Sequence, residues 1–256
     1  STVRAVNGEH SQGPEEGLSR VLNRDGSPGP LLRNLLREQA DSILGEDHVS
    51  RYGANLGILC KYLDSAIRLP IQCHPDKPMA KEYYNSIYGK IEAWYILDTR
   101  IVNGEQPYLL MGFKDGIHRD VFAAAVAAQD VPAMEGMLHK IPVSPGETYF
   151  VPGRLPHAIG PGILMLLVQE PSDWVVHAER TCGDIRLSDR DMWGPLTPEQ
   201  AIRILDPHGS PESVLLDRIR MKADPLPTEG GGALVELVGR RQTEAFSVRR
   251  ATVTGR

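Results

Sequence analysis

Three side chains in this sequence could together bind a divalent metal ion. His74 lies in the segment LPIQCHP, Glu92 lies in GKIEAWYIL, and His157 lies in YFVPGRLPHAIGPG. Each of them stands beside apolar, strand-like sequence. Two imidazoles and one carboxylate are the ligand set of a catalytic metal site that keeps a coordination position open for substrate. The sequence therefore predicts a metalloenzyme.

Alternation along two predicted strands would bring these ligands together. Side chains of a strand point alternately to the two faces of a sheet, so Gln72 and His74 share one face. By the same parity, Lys90 and Glu92 share one face of the next strand. If both faces line one barrel interior, His157 can complete the set and the Gln72 amide oxygen can be a fourth ligand. Polar side chains aimed at a core are costly unless something satisfies them, which favours ligands over ordinary core residues.

Lys90 has two interpretations. It is either a solvated lysine at a strand end or a group that handles protons, because a nearby divalent cation and burial would both lower the pKa of its ammonium group. Cys73, on the opposite face from His74, is interpreted as a small buried apolar residue. Five further histidines are interpreted as surface or satisfied core groups: His10, His48, His118, His139 and His208.

Size and charge limit the class of protein. The chain has 256 residues, of which 41% are hydrophobic and 24% are charged, enough for one substantial core and one main domain. Its formal net charge of -5 contains no block of like charge. This distribution argues against a nucleic acid or a membrane surface as partner.

Cysteine usage and hydropathy indicate the compartment. Cys60, Cys73 and Cys182 are odd in number and have no paired spacing, so we expect a reducing compartment and no disulfide framework. The start of the sequence shows no charged-then-apolar leader, and the longest apolar run, Ile163 to Val168, is too short to span a bilayer. The expectation is a soluble, cytoplasmic protein.

Periodicity predicts a mainly β fold with helices at its edges. Residues 1 to 30 are rich in Gly and Pro and are expected to be irregular. Helices are expected over Leu31 to Leu44, over Asp120 to Gln129, and from Thr197 onward. Short strands are expected in LPIQCHP, KIEAWYIL, YLLMGF, KIPV, ETYFVP, GILMLLVQ and EAFSVRRATVT. Such strands indicate a barrel or sandwich, with the main domain over residues 1–225 and a linker and strand over residues 226–256, a remnant or start of a second β domain.

The order of four segments resembles the type I phosphomannose isomerases of the cupin superfamily. LPIQCHPD, GKIEAWYIL, GETYFVPGRLPHAIGPG and LVQEPSDW keep the family's order and spacing between about Leu31 and Pro195. The resemblance implies a cupin-like jelly-roll barrel that binds one zinc ion per chain. It places Lys90 at the substrate, as a possible acid or base. The zinc ligands that it implies are Gln72, His74, Glu92 and His157.

The resemblance implies an isomerase that interconverts mannose 6-phosphate and fructose 6-phosphate through an enediol. Two residues depart from the family pattern: His177 stands where an arginine is common, and Pro70 stands where many relatives have serine. At position 177, an imidazole has neither the permanent charge nor the two-pronged geometry of a guanidinium. Family members usually have a tryptophan-bearing N-terminal segment, which this sequence does not show, and continue into a second β domain. The expectation is either that this sequence is part of a longer chain or that its last segment packs differently.

Three alternatives stay open at this point. The first is an isomerase of an unphosphorylated sugar, which the change at His177 would suit. The second is a non-haem iron cupin dioxygenase, because two histidines and one carboxylate also describe that site. The third is a non-catalytic sugar-binding cupin. The residues that would bind a phosphate group are equally open, and the candidates are Lys90, Lys114, Arg154 and Arg180.

Overall fold

Antiparallel strands with flanking helices make up the fold. The computed structural model describes residues 18–228 and 232–253. Its helices are α1 (Leu32–Glu38), α2 (Ala40–Leu44), α3 (Glu46–Tyr52), α4 (Lys77–Tyr84), α5 (Arg119–Ala128), α6 (Val131–Gly136), α7 (Asp189–Trp193), α8 (Pro198–Ile204) and α9 (Glu212–Ile219). Its strands are β1 (Arg20–Leu22), β2 (Pro28–Leu31), β3 (Leu59–Asp64), β4 (Gln72–Cys73), β5 (Glu92–Thr99), β6 (Tyr108–Phe113), β7 (Leu138–Pro142), β8 (Thr148–Val151), β9 (His157–Ile159), β10 (Ile163–Gln169), β11 (Val176–His177), β12 (Thr181–Cys182), β13 (Ile185–Arg186), β14 (Arg220–Met221), β15 (Asp224–Leu226), β16 (Gly232–Val238) and β17 (Val248–Val253).

Two five-stranded antiparallel sheets form the body of the molecule. The first has the order β14-β8-β5-β10-β3 and the second has the order β11-β4-β9-β6-β7. One buried apolar cluster contains Trp94 and Met165 from the first sheet together with Leu109 and Ile159 from the second. The two sheets therefore enclose a common core, as in a jelly roll. The mainly β, cupin-like architecture predicted from the sequence is confirmed.

A second core lies on the outer face of the second sheet, under the helices. Ile71 and Cys73 belong to this cluster, together with Phe122 of α5, Met134 of α6 and Ile204 of α8. Because alternate residues of a strand face opposite sides, Gln72 between them faces the barrel interior. The helices thus cover the apolar back of the strand that leads to His74.

Two of the predicted helices are confirmed and the first is divided. Helix α8 begins after Thr197, whose side chain and that of Gln200 form the expected reciprocal capping box. Helix α5 ends at the left-handed Gln129. The predicted helix over Leu31 to Leu44 is broken at Gln39, which has φ -135° and ψ 39°. Helical periodicity continues through this residue although the backbone does not.

The expectation of an irregular N-terminal region is wrong for the part that the structure describes. Strands β1 and β2 form a hairpin there, whereas residues 1–17 lie outside the described residues. Gly26 has φ 82°, and its N–H donates to the carbonyl of Asn23 at 2.9 Å. The turn-forming residues therefore serve as a hairpin loop.

The C-terminal strands form a separate small sheet. Strands β15, β16 and β17 pair in that order, and Val238 packs against Ala93 and Phe150 of the first large sheet. The sheet begins beside the predicted boundary after residue 225, but the division into two domains stays a prediction. Cys60, Cys73 and Cys182 are free thiols. Among the described residues, no helix is both long and apolar enough to cross a bilayer.

Candidate metal centre

His74, Glu92 and His157 meet inside the barrel. His74 directly follows β4, Glu92 begins β5 and His157 begins β9, so the two sheets contribute from facing sides. One ligand atom from each residue lies within 4.8 Å of the other two, and all three side chains are buried. The His74 Nε2 atom is 3.3 Å from Glu92 Oε1. The structure thus brings together three of the four ligands predicted from the sequence.

Backbone carbonyls determine which nitrogen of each imidazole is free. His74 Nδ1 is 3.1 Å from the carbonyl oxygen of Trp174, and His157 Nδ1 is 2.9 Å from that of Leu155. A carbonyl can only accept, so each Nδ1 carries the proton and donates it. Both Nε2 atoms are buried and have no hydrogen-bond partner among the described residues. Two buried lone pairs that face a carboxylate oxygen fit a cation between them.

Electrostatics keeps the cluster in the protonation state that binds metal. Burial, followed by the charge of Lys90, lowers the pKa of His74 to about 3. Burial also lowers the pKa of His157. Burial by itself would raise the pKa of Glu92, but interactions with His74 and the charge of Lys90 outweigh it and leave that pKa below its ordinary value. Both imidazoles are therefore neutral and the carboxylate is ionised near neutral pH.

The sheet register places Gln72 on the same inner face. Gln72 pairs directly with His157 on β9 and with His177 on β11. Side chains of directly opposed residues lie about 5 Å apart on one face of a sheet. Gln72 is half-buried at the edge of the cluster. Its place as the fourth ligand stays a prediction.

Lys90 is a buried neighbour of the cluster. Its Nζ atom is 3.7 Å from Glu92 Oε1 and 3.4 Å from Asp173 Oδ1, and only 5% of the residue is exposed. Its backbone N–H donates to the carbonyl of Pro75, close to His74. This position differs from that of a solvated lysine at a strand end. An ammonium group held between two carboxylates and open to the same interior can donate to or orient a bound hydroxyl group.

His177 occupies the wall next to Gln72. Its Nδ1 atom is 3.0 Å from the carbonyl oxygen of Asp191 in α7, so Nδ1 carries the proton. Burial lowers the pKa of His177. The imidazole is consequently neutral near pH 7, and its Nε2 can accept a hydrogen bond but cannot supply positive charge.

Two residues next to the cluster were not predicted as functional. Lys61 on β3 pairs with Leu167, which pairs with Trp94, so all three face the interior. Partial burial and the charge of Lys90 lower the pKa of Lys61, whereas Glu92 acts in the opposite direction. The signal in the sequence was a lysine between Leu59 and Leu63 at strand spacing. The second residue is Trp94, whose Nε1 donates to Glu92 Oε2 at 2.7 Å.

Three candidates for phosphate binding have other partners. Lys114 Nζ donates to the carbonyl of Gly136 at 2.7 Å. Arg154 Nε lies 3.8 Å from Asp206, and Arg180 pairs with Asp189. These contacts hold the three cations against neighbouring loops and helices. Lys90 and Lys61 are the cations that the described structure places beside the cluster.

Comparisons with known proteins agree on one family. A probable mannose-6-phosphate isomerase of Bacillus subtilis is 29% identical over 245 residues, which cover 94% of this chain and 67% of that protein. A mannose-6-phosphate isomerase of Streptococcus mutans is 34% identical over 148 residues, which cover 58% of this chain and 43% of that protein. The chain thus spans about two thirds of the first relative and less than half of the second. No protein-family model matches the chain.

Solved structures agree with this result. The crystal structure of the mannose 6-phosphate isomerase from Bacillus subtilis matches with a TM-score of 0.68 and 25% identity, over 96% of this chain and 69% of that one. A zinc-bound mannose 6-phosphate isomerase shares the fold at 18% identity and a TM-score of 0.59, over 87% of this chain and 69% of that one. Two facing sheets that enclose a His–Glu–His cluster define a cupin-type protein. Within this class, the chain is similar over nearly its whole length to mannose-6-phosphate isomerases.

Proposed function

We propose that the chain is a zinc-dependent aldose–ketose isomerase that interconverts mannose 6-phosphate and fructose 6-phosphate through an enediol. The observation that carries this proposal is the pair of buried, unpartnered Nε2 atoms of His74 and His157. They face Glu92, and Lys90 lies against the same carboxylate. The names of the relatives support the reaction, and the zinc-bound neighbour supports the metal.

The dimensions of the cluster fit a zinc ion. Two ligand atoms bonded to one tetrahedral zinc ion at about 2.1 Å are about 3.4 Å apart. The distance between His74 Nε2 and Glu92 Oε1 is 3.3 Å. His74, Glu92 and His157 would hold the ion, with Gln72 as a fourth ligand. When bound, zinc supplies a Lewis acid that stabilises negative charge on sugar oxygens, and it has no redox chemistry of its own.

Lys90 is the proposed catalytic residue. The reaction moves a proton between C2 and C1 of the sugar while negative charge develops on the neighbouring oxygens. The Nζ atom of Lys90 can hold a proton against these oxygens or orient the hydroxyl group that exchanges it. Asp173, 3.4 Å from Nζ, fixes the ammonium group in this position. Lys61 adds a second positive charge at the same interior face.

His177 favours a second candidate function, the isomerisation of an unphosphorylated sugar. Its neutral imidazole has its N–H directed at Asp191, so Nε2 can accept a hydrogen bond from a sugar hydroxyl. A phosphate group would instead require donors or positive charge. Turnover of mannose compared with that of mannose 6-phosphate separates the two substrates.

Solvent-deuterium incorporation tests the proposed reaction directly. The zinc-loaded protein is incubated in deuterium oxide with mannose 6-phosphate or with mannose, and label at C1 and C2 is measured by nuclear magnetic resonance. We expect label with the wild-type protein and none with His157→Ala. Absence of label from both sugars would contradict an isomerase. Oxygen consumption by an iron-loaded sample would instead support the dioxygenase alternative.

We further propose a cytoplasmic protein whose partner is a small sugar or sugar phosphate. All three cysteines are free, which suits a reducing compartment. The buried polar side chains of His74, Glu92 and Lys90, which lie together between the sheets, suit a small polar ligand. Fractionation of the source cells, with detection by a specific antibody, tests the compartment. Recovery mainly outside the cytoplasmic fraction would contradict it.

A further inference from the structure

The two oxygens of Glu92 have different surroundings. Oε1 lies 3.3 Å from His74 Nε2 and 3.7 Å from Lys90 Nζ. Oε2 accepts a hydrogen bond of 2.7 Å from the indole Nε1 of Trp94. A bond from N–H to an ionised carboxylate is short and strong. One oxygen therefore faces the metal cluster and the other is held by a protein donor.

The fold gives Trp94 little freedom to leave this position. Trp94 and Glu92 are two residues apart on β5, so their side chains share one face. Trp94 pairs with Leu167 on one side and with Tyr149 on the other, and its side chain is fully buried. Its ring also contacts the imidazole of His157 edge-on, with 5.3 Å between ring centroids. One indole thus contacts two of the three residues of the cluster.

A carboxylate bound through both oxygens would occupy two coordination positions, whereas a catalytic zinc site must keep a position for its substrate. Hydrogen bonds from outside the ligand set orient the ligands and adjust metal affinity. We infer that Trp94 is a positioning residue that holds Oε2 of Glu92, so that the carboxylate binds the metal through Oε1 alone and a coordination position stays open for sugar oxygens. This inference rests on the proposed metal site.

Trp94→Phe tests this role, with Trp193→Phe as the matched control. Phenylalanine keeps a buried aromatic ring at position 94 but lacks the N–H donor. Trp193 lies on α7, and its indole has no hydrogen bond among the described contacts. Zinc affinity is measured by competition with a chromophoric chelator. The visible absorption of the cobalt-substituted protein reports the coordination number, independently of turnover.

We expect Trp94→Phe to weaken zinc binding by about 10- to 100-fold. We also expect weaker cobalt absorption bands, because a carboxylate bound through both oxygens raises the coordination number. Trp193→Phe should match the wild-type protein in both measurements. A folded Trp94→Phe protein with wild-type zinc affinity and cobalt spectrum overturns the inference. A wild-type protein that binds no zinc overturns the proposed function as well, so the two failures are distinguishable.

A second measurement applies if Trp94→Phe does not fold. The wild-type chain has three tryptophans. Their indole N–H resonances can be assigned in 15N-labelled protein with Trp174→Phe and Trp193→Phe. We expect the Trp94 resonance to be protected from solvent exchange and to shift when zinc is added. A Trp94 resonance that exchanges freely or is unmoved by bound zinc contradicts the inference.

Discussion

At the residue scale, the chemistry of the site depends on which side-chain atoms already form hydrogen bonds within the protein. His74 and His157 each give one nitrogen to a backbone carbonyl, and Glu92 gives one oxygen to Trp94. Each of the three residues keeps one atom for a metal ion. This division needs the tertiary structure, because the carbonyl that accepts from His74 belongs to Trp174, 100 residues away. The sequence could predict that His74, Glu92 and His157 come together, but not which of their atoms are left without a hydrogen bond.

Substitution of Lys90 should separate metal binding from proton transfer. We expect Lys90→Met to retain zinc and to lower deuterium incorporation by about 100-fold or more, the usual scale of a lost acid–base group. The exposed Lys81 provides the control, because the contact that the structure describes for its Nζ is a hydrogen bond to Asn85, the residue directly after α4. Lys81→Met should exchange at the wild-type rate. Exchange at that rate in zinc-loaded Lys90→Met would contradict the role of Lys90.

The buried histidines predict acid sensitivity of the metal-free protein. The pKa of His74 falls from an unfolded value of 6.5 to about 3 on folding, so the unfolded chain binds more protons between these pH values. Stability therefore declines as the pH falls from about 6.5 toward 3. Urea unfolding in the presence of a chelator, at pH 7, 5 and 4, measures the decline. His74→Leu should show a smaller decline, and an unchanged one would contradict this explanation.

At the element scale, hydrogen bonds to the segment before the two-residue strand β4 fix the positions of Gln72 and His74. Before β4, the N–H of Ile71 donates to Glu179 Oε1 at 2.9 Å. The same carboxylate accepts two hydrogen bonds from Arg68, at 2.7 and 2.8 Å. Glu179 is fully buried and 14% of the Arg68 side chain is exposed. The ion pair thus fixes the segment that leads into Gln72 and His74.

Removal of the Glu179 carboxylate should lower the free energy of unfolding. Removal of one partner of a buried ion pair typically destabilises a protein by about 3–5 kcal/mol. Because Arg68 keeps its contact with Glu135 at 2.9 Å, we expect Glu179→Ala to lose free energy of unfolding at the lower end of this range, about 3 kcal/mol. Asp64→Ala breaks the exposed pair with Arg100 and should cost about 1 kcal/mol or less. Urea unfolding of both variants gives the comparison. Equal costs for the two variants would contradict a supporting role for Glu179.

Elements with strong local signals could be predicted, and those that depend on partners could not. The capping residues around Thr197 and the alternation in GKIEAWYIL are local, and both elements formed. Strand β3 was missed because Lys61 interrupts the apolar residues of its inner face, Leu59 and Leu63, and the residues of its outer face are exposed. The break at Gln39 was missed because the apolar spacing of a helix continues across it. The formation of β3 depends on its pairing with the distant strand β10, which local periodicity does not show.

At the scale of the whole molecule, metal binding should be coupled to folding. A ligand that binds only the folded chain stabilises it by about 2.7 kcal/mol at 100 times its dissociation constant. We therefore expect zinc to raise the melting temperature of the wild-type protein and a chelator to reverse the rise. His157→Ala should show no zinc-dependent rise. Equal shifts in both proteins would indicate that zinc binds elsewhere.

The overall architecture and the similarity to mannose-6-phosphate isomerases could be predicted from the sequence because several motifs occur in a fixed order. The charges around the site could not be predicted from the sequence, because they depend on segments that come together from different parts of the chain. Lys61 lies on β3 and Lys90 lies two residues before β5 of the same sheet. His177 reaches the opposite wall through the register of β11 with β4. Register between distant strands is a property of the folded molecule.

Anomalous X-ray scattering at the zinc edge tests the central claim most directly. The zinc-loaded crystal should show one strong peak per chain, bonded to the Nε2 atoms of His74 and His157 and to Oε1 of Glu92, with Gln72 as the fourth ligand. A single peak at other residues, or no peak at this cluster in crystals of protein shown to contain zinc, would contradict the claim that these side chains form the metal site.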